Sequence, residues 1–215
     1  MNAHTRRFDP VPPWAVASLR AGISLLDGER IRRQLCSEGI ARRYREMREI
    51  AFLRPDVSSA NFQTFRKTLA ACGVTLVPPD SVACGMGSRY AGAFVIGQYH
   101  PGFHMRAARM LLGWSSGDVS GLPDWGLSCE ELGDMETSSR SFLGAPVSEA
   151  STERGLYGAE IVRRLRPVYG AAGVTIIFDD GRGPDAVTFG VWAPVEILEP
   201  AAGRAALLRL GRGRA

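Results

Sequence analysis

An internal repeat constrains the fold of this 215-residue chain more than any other feature of its sequence. Residues 60–77 and 158–177 follow one pattern, and a repeated segment predicts a repeated structural unit. Seven pairs of equivalent positions carry related residues: Phe62 and Val162, Phe65 and Leu165, Leu69 and Tyr169, Ala71 and Ala171, Gly73 and Gly173, Val74 and Val174, Thr75 and Thr175. Each run predicts a helix that is closed by a glycine C-cap and followed by a β-strand.

The repeat continues toward the N-terminal side of both runs. The helical segment 18–26 matches the segment that begins at Met105, with Arg20 equivalent to Arg106 and Leu25-Leu26 equivalent to Leu111-Leu112. In the first copy, residues 29–35 predict a second helix and residues 41–52 a third. We therefore predict two tandem copies, residues 14–98 and 99–195, each with four or five helices and a β-hairpin.

The remaining segments predict connections and chain ends. Residues 1–13 form a flexible arm in this interpretation, since three prolines oppose a helix. Residues 78–96 suit a loose first hairpin, and Asp179-Asp180-Gly181 is a good turn for the second. The stretch between Glu136 and Ala159 predicts a loop. Residues 196–215 form a basic tail, either a short amphipathic helix or a disordered end. The expected fold class is mainly α with short β-hairpins.

Residues 105–136 carry the most specific motif. Met105 to Gly113 predicts an amphipathic helix, Asp118-Val119 could continue a second short helix, and Gly126-Leu127-Ser128 predicts a tight turn with a helix N-cap. Leu132, Met135 and Glu136 fit a third helix. This order resembles the first three helices of the phage-repressor-like (XRE, lambda/Cro-like) helix-turn-helix family, which commonly reads RAAR-x-LLGWS, then G-[VL]-S, an apolar residue and L/M-E. Those elements are here Arg106–Ser115, Gly126–Ser128, Leu132 and Met135-Glu136.

The resemblance implies two tandem lambda-repressor-like helix-turn-helix domains, each of which presents its third helix to the major groove of DNA. The first copy departs from the family motif, since Gly28 replaces the family tryptophan and Arg45 stands where an apolar residue is expected. If its turn is one residue shorter, Tyr44 and Met47 supply the apolar face of the third helix.

The two copies differ in charge, and cationic side chains supply most of the affinity for DNA phosphates. Residues 14–77 contain 11 basic and 6 acidic residues, whereas residues 104–178 contain 7 basic and 9 acidic ones. We therefore predict that the first copy binds double-stranded DNA. Its predicted DNA-binding residues lie on the second and third helices: Arg30, Arg32, Arg33, Arg42, Arg43, Tyr44, Arg45 and Arg48.

The third helix of the second copy, residues 129–139, carries carboxylates and no basic residue. A phosphate-lined groove repels such a helix. We predict that it contacts a protein instead, either another protomer in a homodimer or the transcription machinery. The predicted contact residues are Glu130, Glu131 and Asp134.

Other classes of function find little support in the sequence. We expect a cytoplasmic protein, because no apolar run could cross a bilayer and no signal peptide opens the chain. The four cysteines, Cys36, Cys72, Cys84 and Cys129, are scattered and fit reduced thiols. His100 and His104 predict a linker pair rather than a metal site, and Gly85 to Gly92 lacks the lysine of a nucleotide-binding loop. We find no catalytic constellation and expect no enzyme activity, cofactor or metal.

The sequence thus predicts a sequence-specific DNA-binding transcriptional regulator. Members of the resembled family often control prophages and other mobile elements, and the resemblance extends that role to this chain. The alternative is an antiactivator that keeps the fold, binds a partner protein and has lost DNA binding.

Overall fold

The computed structural model describes residues 11–33, 38–53, 57–77, 85–90, 94–95, 101–123, 125–137, 163–177, 186–187, 190–194 and 200–212. These residues are mainly helical and include a small antiparallel sheet. The helices are α1 (Pro13–Arg33), α2 (Glu38–Leu53), α3 (Ser59–Ala71), α4 (Pro101–Leu111), α5 (Ser116–Ser120), α6 (Cys129–Thr137), α7 (residues 163–171) and α8 (Pro200–Arg212). The strands are β1 (Val74–Val77), β2 (Gly85–Tyr90), β3 (Phe94–Val95), β4 (Thr175–Ile177), β5 (Ala186–Val187) and β6 (Gly190–Pro194).

Helix α1 is the centre of the structure. Every residue from Ala15 to Leu26 is buried except Arg20, which is half-buried, so this part of the helix is enclosed on nearly all sides. A helix that is apolar on all faces belongs inside a protein, and α1 packs against α4, α3 and β2. The prediction that residues 29–35 form a separate second helix is wrong, because α1 continues to Arg33. The two interior glycines, Gly22 and Gly28, cost about 1 kcal/mol each, which this packing outweighs.

Helix α4 also differs from its prediction. It begins at Pro101 rather than at Met105, and His104 is therefore a buried helical residue and not part of a linker. Proline is well tolerated at the first position of a helix, where its missing N–H would have no partner within the helix. His100 lies outside the described residues.

The glycine-closed helices predicted by the repeat are confirmed. Helix α3 and helix α7 each end two or three residues before a strand, and Gly73 and Gly173 lie between them with φ of 85° and 96°. Only glycine adopts this left-handed region without strain. The apolar positions that repeat along the two helices, Phe62, Phe65 and Leu69 in α3 and Leu165 and Tyr169 in α7, are all buried. Val162 lies outside the described residues.

The strands from the two copies form one sheet, in the order β1-β2-β6-β4, with antiparallel neighbours. Leu76 of β1 faces Ser88 of β2, and the equivalent Ile176 of β4 faces Val191 of β6. Ser88 and Val191 are therefore equivalent positions, and they face each other at the centre of the sheet. This register places an approximate twofold axis through the pair, so the two copies are joined as the halves of a dimer would be.

The two copies are consequently not separate domains. Each hairpin borders the other copy, and one apolar cluster contains residues of both, including Leu19, Leu111, Leu132 and Val191. Strands β3 and β5, one from each copy, add a second antiparallel pair. The boundary predicted near residue 98 separates two repeats of sequence but not two cores. An isolated two-stranded hairpin is only marginally stable, which explains why each hairpin pairs with the other.

Of the two alternatives predicted for the basic tail, the structure shows the amphipathic helix, which is α8. Ala206 is buried and Leu207 and Leu210 are partly buried against the core, while Arg204, Arg209 and Arg212 are exposed. Residues 1–10 of the predicted arm, residues 138–158 of the predicted loop, and the turn at 179–181 lie outside the described residues.

None of the described helices combines the length and the apolar character that a membrane span requires.

The close crossing of α4 over α6 gives a first prediction. A Cβ atom added to Gly102 would lie 2.1 Å from the backbone oxygen of Met135, and backbone cannot move aside as a flexible side chain can. We expect Gly102→Ala to lower the free energy of unfolding by about 3 kcal/mol or more, measured by urea denaturation. Gly133→Ala on α6 is the matched control, since a Cβ there meets nothing within 4 Å, and it should raise stability by up to about 1 kcal/mol. Equal stability of both variants would refute the close crossing.

Candidate nucleic-acid interface

Helix α2 is amphipathic, with one face buried against the core and the other exposed to solvent. Tyr44, Met47, Ile50 and Ala51 are buried at helical spacing and attach the helix to the core. This settles the register that the sequence left open, because Tyr44 and Met47 supply the apolar face and Arg45 points outward. Tyr44 is therefore a packing residue, only 4% exposed, and its predicted place on the DNA-binding surface is corrected.

The outer face of α2 carries four exposed arginines, Arg42, Arg43, Arg45 and Arg48, which we call the basic face. Two exposed carboxylates, Glu46 and Glu49, are interspersed among them. The arginines outnumber the carboxylates, so the helix presents a net positive charge to solvent. Long guanidinium side chains on a helix with a fixed inner face can reach phosphates or base edges of a duplex.

Polar contacts hold α2 on α1 and connect it to the second copy. The Tyr44 hydroxyl donates to Asp27 of α1, and the Arg48 guanidinium donates to the Tyr44 hydroxyl at 3.3 Å and lies 5.8 Å from the ring centroid. The second oxygen of Asp27 accepts from Arg106 of α4 at 3.0 Å. Asp27 therefore links α1, α2 and α4 at one point.

The C-terminal end of α2 has its own anchor. The Nε of Arg20 donates to the backbone oxygen of Ala51 at 2.6 Å. Burial lowers the pKa of Arg20 from its ordinary value, since a desolvated cation is less favourable than a hydrated one. The bond satisfies a carbonyl in the last turn of α2, which intrahelical bonds do not reach.

The remaining predicted DNA-binding arginines, Arg30, Arg32 and Arg33, belong to the last turns of α1. The positions of their side chains lie outside what the structure describes, as do residues 34–37 between α1 and α2. Along the chain, α2 thus follows α1 after four residues.

In the second copy, helices α4, α5 and α6 occupy the three predicted segments. Ser115 caps α5 with a reciprocal pair of bonds, in which Asp118 N–H donates to its hydroxyl at 3.1 Å and its own N–H donates to Asp118 at 2.7 Å. Ser128 and Glu131 form the same capping box at α6, at 3.1 and 2.8 Å. Gly126 has a φ of 64° in the turn between them, so the predicted glycine turn and N-cap are confirmed.

A buried ion pair joins the two ends of this motif. Arg109 of α4 donates from Nε to Glu136 Oε1 at 2.7 Å and from Nη2 to Oε2 at 2.5 Å, and its Nη1 donates to the Trp114 carbonyl at 2.9 Å. Burial alone lowers the pKa of Arg109, but the hydrogen bond and the charge of Glu136 raise it above its ordinary value. The Arg109 guanidinium is thus held in its charged form inside the protein.

The pair changes the interpretation of α6. The sequence counts Glu136 among the carboxylates of an exposed acidic helix, whereas Glu136 is only 2% exposed and its charge is balanced by Arg109. The neighbouring Tyr169 ring lies 6.0 Å from Trp114, and burial, followed by the charge of Glu136, raises the pKa of Tyr169 well above its ordinary value. Glu136 is a structural residue that charge counting misses.

The predicted partner residues of α6 form a smaller surface than the sequence implies. Glu130 and Asp134 are exposed, while Glu131 is half-buried and caps its own helix. We call these three residues the acidic face. In the sequence repeat, α6 was matched to the segment that forms α2, which carries the basic face.

Reactive and metal-ligating groups are sparse in the part of the chain that the structure describes. Cys72 is buried, and the Sγ of the exposed Cys129 lies 3.1 Å from the Ser120 hydroxyl. Within the described ranges, no group of three or more histidine, cysteine or acidic side chains is placed to hold a metal ion. Cys36 and Cys84 lie outside them.

Comparison with known proteins assigns the chain to no family, since no family model, no curated protein and no solved structure matches it. The resemblance to phage-repressor-like regulators therefore rests on the motif at residues 105–136 and stays a prediction.

The buried ion pair gives a second prediction. Arg109→Met leaves the Glu136 carboxylate buried without its partner, so we expect it to lower the free energy of unfolding by about 3–5 kcal/mol. The double variant Arg109→Met/Glu136→Leu removes both charges and should recover most of that loss. Urea denaturation of the two variants and of the wild-type chain measures both effects. A double variant no more stable than the single one would show that the carboxylate is not the cause.

Proposed function

We propose that the chain is a sequence-specific DNA-binding regulator that contacts the duplex through the basic face of α2. The observation that carries the proposal is the exposure of Arg42, Arg43, Arg45 and Arg48 on one helix whose opposite face is fixed in the core. Guanidinium groups bind phosphates and guanine edges in the major groove, and a helix of this size fits that groove.

The asymmetry between the copies supports one DNA-reading helix per chain. A twofold arrangement of equal helices would suit two half-sites of a palindrome. Here the segment that the sequence repeat matches to α2 is α6, which carries the acidic face, and phosphates repel that face. We infer that α6 contacts a protein, either a second copy of this chain or a component of the transcription machinery. Each chain then contacts DNA through α2 alone, so the DNA segment that one chain binds has no internal twofold symmetry.

The acidic face also favours a second candidate, an antiactivator that binds a partner protein and no DNA. Both candidates predict a protein partner, so DNA retention distinguishes them. A regulator forms a saturable complex whose affinity falls steeply with salt, because bound phosphates release counterions. An antiactivator forms none.

A charge-reversal experiment tests the DNA-binding assignment. In gel shifts against the DNA upstream of the protein's own coding sequence at two salt concentrations, Arg42→Glu/Arg43→Glu/Arg45→Glu should weaken binding by at least about a hundredfold and reduce the salt slope by about three. The loss follows because three cationic contacts become repulsive.

The matched control reverses the same number of charges elsewhere. Arg204→Glu/Arg209→Glu/Arg212→Glu on α8 changes the net charge equally at exposed positions, and we expect it to affect binding far less. Equal losses in the two triple variants would show that net charge, and not the basic face, governs retention. No complex with the wild-type chain would support the antiactivator.

A further inference from the structure

The outer face of α8 combines cationic side chains with an exposed leucine. Leu208 is 56% exposed, and in the described part of the chain only Leu53 is a large hydrophobic residue with greater exposure. Arg204 and Arg212 lie one helical turn on either side of Leu208, and Arg209 lies next to it. All three arginines are exposed, and the 13 residues of α8 include no carboxylate. We call these four residues, Arg204, Leu208, Arg209 and Arg212, the α8 face.

The cations of the α8 face are available to a partner. No salt bridge or side-chain hydrogen bond occupies any of the three arginines in the part of the chain that the structure describes. The helix itself is held in place, because Ala206 is buried on its inner side and Leu207 and Leu210 are partly buried against the core. A partner that fits must therefore bring carboxylates, and it must leave room between them for a leucine side chain.

The acidic face of α6 has the complementary chemistry. Glu130 and Asp134 are exposed and lie one helical turn apart. Gly133 lies beside Asp134 on the same helix, and a Cβ atom added there would meet nothing within 4 Å. The surface at Gly133 is therefore open enough to accept an apolar side chain between the two carboxylates.

The two faces belong to neighbouring parts of the protein. Leu210 of α8 and Trp125, which lies four residues before the start of α6, line one cleft. Among the described residues, no arginine of the α8 face is bonded to a carboxylate of α6. A twofold axis between two chains would place the α8 face of each chain on the acidic face of the other. Such an interface is closed, because every contact in it occurs twice.

We propose that two copies of the chain form a dimer in which the α8 face of each contacts the acidic face of the other. The proposal rests on the proposed function in one respect, that α6 contacts a protein, and it names that protein. Leu208 packs against Gly133, and the arginines pair with Glu130 and Asp134. The phosphates of a duplex would also attract the arginines, but they offer no apolar surface to Leu208. The basic face of α2 suits α6 less well, because its two carboxylates repel those of α6.

Sedimentation equilibrium of the full-length chain tests the dimer. Two short helices make a small contact, so we expect a reversible association with a dissociation constant in the micromolar range. Arg209→Glu/Arg212→Glu should weaken it by about tenfold or more, because like charges then meet in both contacts. Glu130→Arg/Asp134→Arg should do the same. The chain with all four substitutions exchanges the charges and should recover the association, as should an equimolar mixture of the two double variants.

Arg42→Glu/Arg43→Glu on the basic face is the matched control. It changes the net charge as much as the α8 variant does, and it should leave the dissociation constant unchanged. Thermal melts check that each variant is folded. If a double variant is not folded, Leu208→Asp at its exposed position tests the contact with the same expected loss. A chain that stays monomeric at about 100 μM, a dimer that tolerates the folded variants, or a folded charge-exchanged chain that does not associate would each overturn the proposal.

Gel shifts at nanomolar concentrations, at which the chain is a monomer, measure DNA binding by α2 separately. A chain that never dimerises but still retains DNA would overturn this inference and leave the DNA-binding assignment intact. Absence of DNA retention by a chain that does dimerise would overturn the DNA-binding assignment alone.

Discussion

The antiparallel pairing of β2 with β6 is the interaction on which the rest of the structure depends. It joins two hairpins, each too small to be stable alone, into one four-stranded sheet. Because the sheet crosses from one copy to the other, α1 and α4 must pack together beneath it, and they do so around the approximate twofold axis. The chain thereby contains within itself an interface that a pair of identical subunits would form between them.

This internal pairing frees the outer helices to diverge. Residues that face the shared core cannot change without loss of packing, and equivalent positions such as Val74 and Val174 are both buried. Residues on the outer faces of α2 and α6 carry no such constraint. Helix α2 presents arginines and α6 presents carboxylates, although the sequence repeat matches the two segments. The proposed division of labour between a DNA surface and a protein surface would use that freedom.

The local features of the fold were predictable from sequence because they depend on local chemistry. Gly73 and Gly173 mark positive φ, Ser115 and Ser128 cap helices, and the spacing of Phe62, Phe65 and Leu69 marks a buried face. The merger of the two copies was not predictable, because the register that pairs Ser88 with Val191 joins residues far apart in the chain. The continuity of α1 through Gly28 likewise depends on tertiary packing.

The candidate site was predicted only in part, because helical spacing is local whereas burial depends on tertiary packing. The exposure of Arg42, Arg43, Arg45 and Arg48 agrees with the helical pattern, whereas Tyr44 faces inward and Glu136 is buried. Glu136 follows Leu132 by four residues and so shares its buried face, and this spacing is a signal that a count of charges ignores. The contact of Arg164 with Trp125 had no counterpart in the sequence, since the two residues approach each other only in the folded chain.

Backbone amide chemical shifts measure most directly whether α2 contacts DNA and α6 does not, as proposed. A titration of the isotope-labelled chain with a duplex from its own upstream region should shift the amides of residues 42–48 in α2 and leave those of residues 129–137 in α6 unchanged. Shifts at α6 equal to those at α2, or shifts at neither helix with a saturating duplex, would contradict the account.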